Sequence, residues 1–327
     1  MRELRSASPE ILYGAHMKIP LDAILRVLDA NDIPYSMEGM AIAVEHTAAI
    51  DLQVENSLCY FVGDDPDPIV GIKSSIIICK PGLRLKDRGG NAYIYTEYPQ
   101  LAFYYASSLF AEKPEPRIDP HAIVDNNARL GQRVSIGAFC VIEECTIGND
   151  VSVESGVRIH KGTIVGDNVR ILSNTVIGAE GVAWVQDGRK NTKVPCAQTG
   201  IVIIEENVFL GSNLTIARGA FFNKPTVIGN GSMISHGTMI GHGVVVGARN
   251  HFANNVAIAG SVSTGENCFF GSGAVVRPHI KIPNNTIIGA GAVVVNDFEQ
   301  EGLVLAGNPA RPIPKKQEGV SGVPAPF

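Results

Sequence analysis

From Ile204 to Val294 every sixth residue carries a side chain suited to a core: Ile204, Leu210, Ile216, Phe222, Ile228, Ile234, Ile240, Val246, Phe252, Ile258, Thr264, Phe270, Val276, Ile282, Ile288 and Val294, with Thr264 the one polar member. A period of six is neither the helical 3.6 nor the strand alternation of two. It is the repeat of a left-handed parallel β-helix, in which each hexad makes one flat side of a triangular coil and three hexads close it. The residue after the aliphatic is often Gly (Gly211, Gly229, Gly241, Gly247, Gly265, Gly271, Gly289), which reads as a tight corner where a Cβ is costly. The same pattern begins earlier with Ile118, Val124, Leu130, Ile136 and Ile142. After one step of five to Ile147 it resumes with Val153, Ile159, Val165, Ile171 and Ile177. Together the two stretches give roughly nine coils, a prism on the order of 40 Å long at about 4.8 Å per coil. Between Gly178 and Gly200 the pattern lapses into a polar segment with Trp184, Arg189, Lys190 and Lys193. Excursions from a rigid solenoid usually carry function or assembly contacts.

Residues 1–115 lack the sixfold repeat and read as a separate small α/β domain. Leu21, Ile24, Leu25 and Leu28 recur at helical spacing before the stop-like Asn31-Asp32-Ile33-Pro34. Strand-like runs follow at Ala41 to Val44, Leu58 to Val62 and Ser75 to Cys79, and a second helix is expected from Tyr98 to near Phe110. The prolines of Glu112-Lys113-Pro114-Glu115-Pro116 favour an extended linker. The expected organisation is therefore a mainly β chain: a small α/β N-terminal domain (1–115), a left-handed parallel β-helix (116–297), and a C-terminal extension with a flexible tail (298–327).

Charge and cysteine content narrow the partners. A net charge of -5 and a pI near 5.9 disfavour nucleic acid as a partner. No early apolar run reaches the roughly 18 residues of a membrane span, and the start has no signal-peptide core, so a cytoplasmic protein is expected. Six cysteines (Cys59, Cys79, Cys140, Cys145, Cys196, Cys268) show no metal-ligand spacing and read as reduced core residues.

Histidines are the informative minority of the prism: His236, His242, His251 and His279 all lie in its second half. His242 follows Ile240 by two residues and His279 follows Val276 by three, and two coils separate the core positions. The two histidines therefore share a face near one corner, about 10 Å apart. Gly260, one coil beyond His242, stacks on it and leaves a backbone N–H open. That pairs a general base with an oxyanion donor one strand away. His236, one hexad earlier, belongs to the adjoining side.

The run Thr226 to Gly260, the preceding Asn213 to Ala220 and the Lys193-Val194-Pro195 that ends the lapse resemble the UDP-3-O-acylglucosamine N-acyltransferases of lipid A biosynthesis. The resemblance covers almost the whole chain. Asn56 to Phe61 is similar to that family's uridine-binding segment, and Tyr98 to Phe103 to its helix-entry motif. It implies a homotrimer with active sites in clefts between prisms, His242 as the catalytic base, His279 as a second functional histidine and Gly260 as the oxyanion amide. Substrate contacts would fall on Tyr60, Ser235, His236 and Arg218. Departures are plain: Ser235-His236 stands where the family usually has Asp-Asn, Ala217 where it has an acid, and Gly63 with Asp64 to Pro68 where it contacts uracil. The terminal Ala306-Gly307-Asn308-Pro309-Ala310-Arg311 instead resembles the tail of hexapeptide acetyltransferases that use acetyl-CoA.

The resemblance thus implies an N-acyltransferase of the lipid A type. Acyl groups would pass from an acyl-pantetheine thioester, of acyl carrier protein or of coenzyme A, to the amine of a UDP-linked amino sugar. No tightly bound cofactor and no metal are required, and Arg277 and Arg311 would meet the donor's phosphates. A short-chain N-acetyltransferase is one alternative. In a different class stand a zinc protein like the γ-type carbonic anhydrases, with His236, His242 and His279 as ligands, and a prism that binds without catalysis.

Overall fold

The computed structural model describes residues 18–52, 54–83, 89–111 and 115–314; the expected linker lies partly, and the tail from residue 315 wholly, outside the described residues. The chain divides into two compact units, residues 1–113 and 114–327.

In the first unit, β1 (Ile19–Pro20) leads into α1 (Leu21–Ala30), whose Leu21, Ile24 and Leu28 are buried as their spacing requires. Six strands follow that helix: β2 (Ser36–Gly39), β3 (Ala43–Val44), which pairs with β1, and β4 (His46–Thr47), β5 (Ser57–Phe61), β6 (Ile76–Cys79) and β7 (Ala92–Tyr95), which join β2 in one five-stranded sheet. The sheet order is β2-β7-β6-β5-β4. Strands β4 to β7 run parallel and β2 pairs antiparallel at the edge. The unbroken apolar run Ile76-Ile77-Ile78-Cys79 suits its central place, since a parallel strand covered on both faces need not alternate. Helix α2 (Pro99–Ser107) packs with α1 on one face, where Leu58, Ile76, Ile78 and Ile94 meet Ala102 and Ala106. The other face buries Cys59, Ile77, Cys79 and Tyr93 beneath Ile69 and Ile72.

The second unit is a parallel β-solenoid whose two-residue strands stack into three sheets. Ile240, Ile258, Val276 and Val294 lie in register on one face. Ile228 and Val246 share a second face, which continues through Ser263–Thr264 to Ile282. Ile234, Phe252, Phe270 and Ile288 occupy the third. The hexad side chains point inward; Phe252 and Phe270 stack at 4.2 Å with rings 4° from parallel. Each fully buried side chain of this kind contributes roughly 1.5–3 kcal/mol. Thr264 is tolerated because Asn250, also buried, donates to its hydroxyl at 2.9 Å and to the carbonyls of Gly247 and Gly265 at 2.9 and 2.8 Å.

Three expectations are corrected. Phe222 is 84 % exposed: residues 218–225 leave the prism, and the strand Thr226–Ile228 resumes after an excursion that happens to preserve the sixfold phase. Ile118, 49 % exposed, makes only an isolated bridge to Ile136. The glycines after the aliphatics do not turn the corner: a Cβ on Gly241 would lie 2.6 Å from the Gly260 nitrogen of the next coil, so the constraint is close stacking of coils. The left-handed corner residue lies three after the aliphatic, as Asn213, Gly231, Gly237, Gly243, Asn255 and His279 show, each with φ between 58° and 70°. Beyond Val294, Val304–Ala306 adds a parallel strand beside Ile287–Ile288, and Arg311–Ile313 turns back antiparallel on it, closing the sheet edge.

Candidate functional site

Both excursions leave the prism at the corner between the Ile240 face and the Val246 face. The first follows Ile177, which pairs with Ile216 and through it with Ile240. It forms a hairpin of Trp184–Asp187 and Thr192–Pro195 before Val202–Ile204 rejoins the Val246 face. The Lys193 ammonium lies 4.3 Å from the centre of the Trp184 ring. The second excursion carries Phe221 and Lys224. Arg218 anchors the roots of both, donating from Nε to the Gly178 carbonyl at 2.8 Å and from Nη2 to the Lys161 carbonyl at 3.0 Å.

Above these loops, at the same corner of successive coils, stand His242 with Gly243, Gly260 with Ser261, and His279. Loops and corner enclose a cavity of about 530 Å³, with Trp184, Val185, Ala220 and Phe221 as apolar wall and His242, Ser261, Ser263 and His279 as polar floor. Coil stacking fixes the floor: Ser261 N–H donates to the His242 carbonyl at 2.9 Å and His279 N–H to the Gly260 carbonyl at 3.1 Å. The His242 ring lies against Gly260 so closely that an added Cβ would stand 2.5 Å from Nε2. Its Nδ1 is buried and has no hydrogen-bond partner among the described residues. The Gly260 N–H likewise has none among them. His279 holds φ at +64°, a conformation costly for a residue other than Gly or Asn and of the kind that clusters at functional sites. His242 and His279 therefore share one cleft, with Gly260 packed against the His242 ring.

Other residues singled out from the sequence are placed elsewhere. Ser235 and His236 occupy the preceding corner, because one hexad spans one side of the prism. The Ser235 hydroxyl donates to Asn254 Oδ1 at 2.5 Å, and His236 Nδ1 accepts the Ser212 N–H at 2.9 Å, so a neutral ring there carries its proton on Nε2. Arg218 is committed to carbonyls as described. Arg277 is exposed and absent from the cleft walls, and Arg311 donates to the Ala310 carbonyl at 3.0 Å on the terminal hairpin. His251 lies against Phe269 at 5.3 Å on the third face, and burial holds its pKa below the usual imidazole value. No cluster of three metal-binding side chains occurs among the described residues of one chain, and His236 stands at a different corner from His242 and His279. Tyr60, in the first unit, packs against Phe103 at 4.8 Å. That unit has its own cavity of about 550 Å³ at the carboxyl ends of β5 and β6 and the start of α2, where Lys80, Glu97, Tyr98 and Tyr104 gather.

Among the cleft residues that sequence reasoning missed are Lys224, Phe221, Lys281, Ser261 and Ser263. Five cysteines are buried as expected, but Cys196, read from the sequence as a core residue, is exposed on the cleft wall, because it lies on the first excursion outside the prism. The signal for Phe221 and Lys224 was hidden by the preserved phase of the second excursion.

Fold and cleft define a hexapeptide-repeat solenoid. The family model described as bacterial transferase hexapeptide (six repeats) matches residues 144–179, and that described as hexapeptide repeat of succinyl-transferase matches 201–220 and 261–295. Among known proteins the chain is similar to the UDP-3-O-acylglucosamine N-acyltransferase of Polynucleobacter asymbioticus, 33 % identical over 44 % of this chain and 47 % of that protein. It is also similar to the protein of the same name from Coxiella burnetii, 35 % identical over 41 % of this chain and 44 % of that one. The chain thus matches less than half the length of these relatives. Among solved structures, the UDP-N-acetylglucosamine O-acyltransferase of Moraxella catarrhalis shares 25 % identity at a TM-score of 0.54, covering 60 % of this chain and 73 % of that one. The UDP-N-acetylglucosamine acyltransferase of Campylobacter jejuni shares 25 % at 0.55, covering 60 % and 74 %.

Proposed function

We propose that this protein is an N-acyltransferase that moves an acyl group from a pantetheine thioester to the amine of a UDP-linked amino sugar. The observation that carries the reading is His242 Nε2 packed against Gly260 at the floor of an accessible cleft. In this mechanism His242 takes a proton as the sugar nitrogen attacks the thioester carbonyl, and the Gly260 N–H holds the oxyanion of the tetrahedral intermediate. Attack forms the C–N bond, collapse of the intermediate breaks the C–S bond, and the proton held by His242 passes to the departing sulfur, which leaves as a thiol. His279 contacts donor or acceptor from the far side. Acyl carrier protein and coenzyme A are both candidate carriers, and the names of the relatives favour lipid A chemistry.

Three copies are proposed to assemble. Met239 (58 % exposed) and Val275 point outward from the face on one side of the catalytic corner, and Val245 and Ile164 from the face on the other. Such apolar stripes are what a partner prism would cover. The first unit would take the nucleotide, with exposed Tyr98 and Tyr104 offering rings for a base. Turnover with a panel of acyl thioesters and UDP-amino sugars, followed by thiol release and product mass, tests the assignment. No amide product with any pair, from protein shown by light scattering to be trimeric, would sink it.

A further inference from the structure

Two lysines that no relative's name accounts for face the cleft: Lys224 on the second excursion and Lys281 on the Val246 face. Both side chains are exposed and neither ammonium is in an ion pair among the described residues; the Asp297 carboxylate accepts the Lys281 backbone N–H at 2.7 Å but is not among the cleft walls. Cations nearby are engaged: Lys161 with Glu144 at 2.7 Å, Arg189 with Asp187 at 3.0 Å, Lys193 with the Trp184 ring and Arg218 with backbone carbonyls. The cleft walls carry no Asp or Glu. A second cavity further down the same corner differs, setting Glu144 opposite Arg129. Lys281 also stands directly above Ser263 in the stack, with Ser261 at the adjoining corner, so ammonium and hydroxyl donors converge.

Two unpaired ammonium groups in one concavity whose walls carry no carboxylate raise the local potential and favour a bound anion. Lysine serves phosphates as a mobile point charge and does not need the planar match that arginine offers. We infer that Lys224 and Lys281 form an anion-binding pair that seats a phosphate-class group of a substrate beside His242. The inference rests on the acyl-transfer reading for what that phosphate belongs to: the nucleotide diphosphate of the acceptor or the phosphates of a coenzyme A donor.

Trp184 is the chain's only tryptophan and lines this cleft, so its emission reports occupancy. The intact protein is titrated with UDP, with coenzyme A and with phosphate-free pantetheine, with calorimetry in parallel. Saturable binding of UDP or coenzyme A is expected, weakened by salt, with pantetheine at least tenfold weaker. Lys224→Gln with Lys281→Gln should weaken the phosphate-bearing probe about ten- to hundredfold while leaving the circular dichroism unchanged. A response to UDP alone assigns the group to the acceptor, and to coenzyme A alone, to the donor. Unchanged affinity in the double variant, or binding of neither phosphate probe, overturns the pair. Lysine-dependent binding without any acyl transfer would overturn only the proposed function; transfer with native KM values in the double variant would overturn only the anion pair.

Discussion

Gly260 lies one coil beyond His242 with its Cα so near the ring that a β-carbon would stand 2.5 Å from Nε2. Gly260→Ala must therefore push the imidazole aside and crowd the amide proposed for the oxyanion. Loss of one such donor typically costs about 10²–10³ in kcat. The variant should show a drop of that order with its thermal unfolding little changed. A kcat within threefold of native would show that neither ring position nor amide matters.

His242→Ala removes the proposed base without touching the aliphatic interior. General base assistance is usually worth about 10²–10⁴ in rate. The expected result is a kcat lower by that factor, with Tm close to native, in steady-state assays of thiol release. More than about a tenth of native kcat remaining would rule the residue out as base.

His279 presents the opposite balance. It occupies a left-handed corner position that most often holds Asn or Gly, although Arg133, Phe139, Arg249 and Ser261 also adopt it, so His279→Gly should relieve strain of about 1 kcal/mol. Thermal unfolding should occur at a higher temperature while activity falls. A lower Tm, or unaltered turnover, would contradict a functional reason for histidine at that corner.

Asn250 is the polar keystone of the prism interior. Its Oδ1 accepts the Cys268 N–H at 2.5 Å, and its amide nitrogen serves Thr264 and two carbonyls. Asn250→Leu strands those groups in an apolar interior, at about 3 kcal/mol given 1–3 kcal/mol per unsatisfied group. Denaturant unfolding of the variant checks this, and a midpoint unchanged from native would refute it.

Thiol chemistry separates one cysteine from five. Burial pushes Cys59 and Cys79 up to about 12, the neighbouring Cys79 adding to the effect at Cys59, and burial pushes Cys145 and Cys268 to about 11. Native protein near pH 8 should therefore take up a single alkyl group, at exposed Cys196, and lose activity as the cleft is obstructed; Cys196→Ser should resist both. Because these buried thiols bind their protons more tightly folded than unfolded, their contribution to stability holds below about 9 and declines as pH rises from there towards 12. Mass spectrometry of the labelled chain and unfolding across pH 8–12 test the two statements.

The core was readable from sequence because a solenoid repeats its demand at every coil: Ile240, Ile258 and Val276 each fill the same position one coil apart. The glycine rule was half legible. Gly241 was visible as a constraint, but only coil stacking explains it, and the true corner position emerged from backbone angles at Gly243, Ser261 and His279. Phe222 misled because an excursion of convenient length kept the phase. Strand β7 went unassigned although Ala92 to Tyr95 alternates little and is mostly buried, and β2, Ser36-Met37-Glu38-Gly39, has no apolar pattern at all. His242, Gly260 and His279 were brought together by counting coils. Lys224 was not, since counting fails where an insertion leaves the coil, and Lys281, on a regular coil above Ser263, becomes a cleft residue only because the insertions wall it in.

Both insertions depart from a single edge of the prism, and that edge also bears the His242 imidazole. The hydrogen-bonded ladder carries the load of folding, while the walls that meet a substrate hang outside it. Lengthening, shortening or exchanging either loop would recast the substrate pocket without rewriting a rung of the ladder. In such a molecule, selectivity and foldability are separable traits, and a new specificity can be tried without endangering the scaffold.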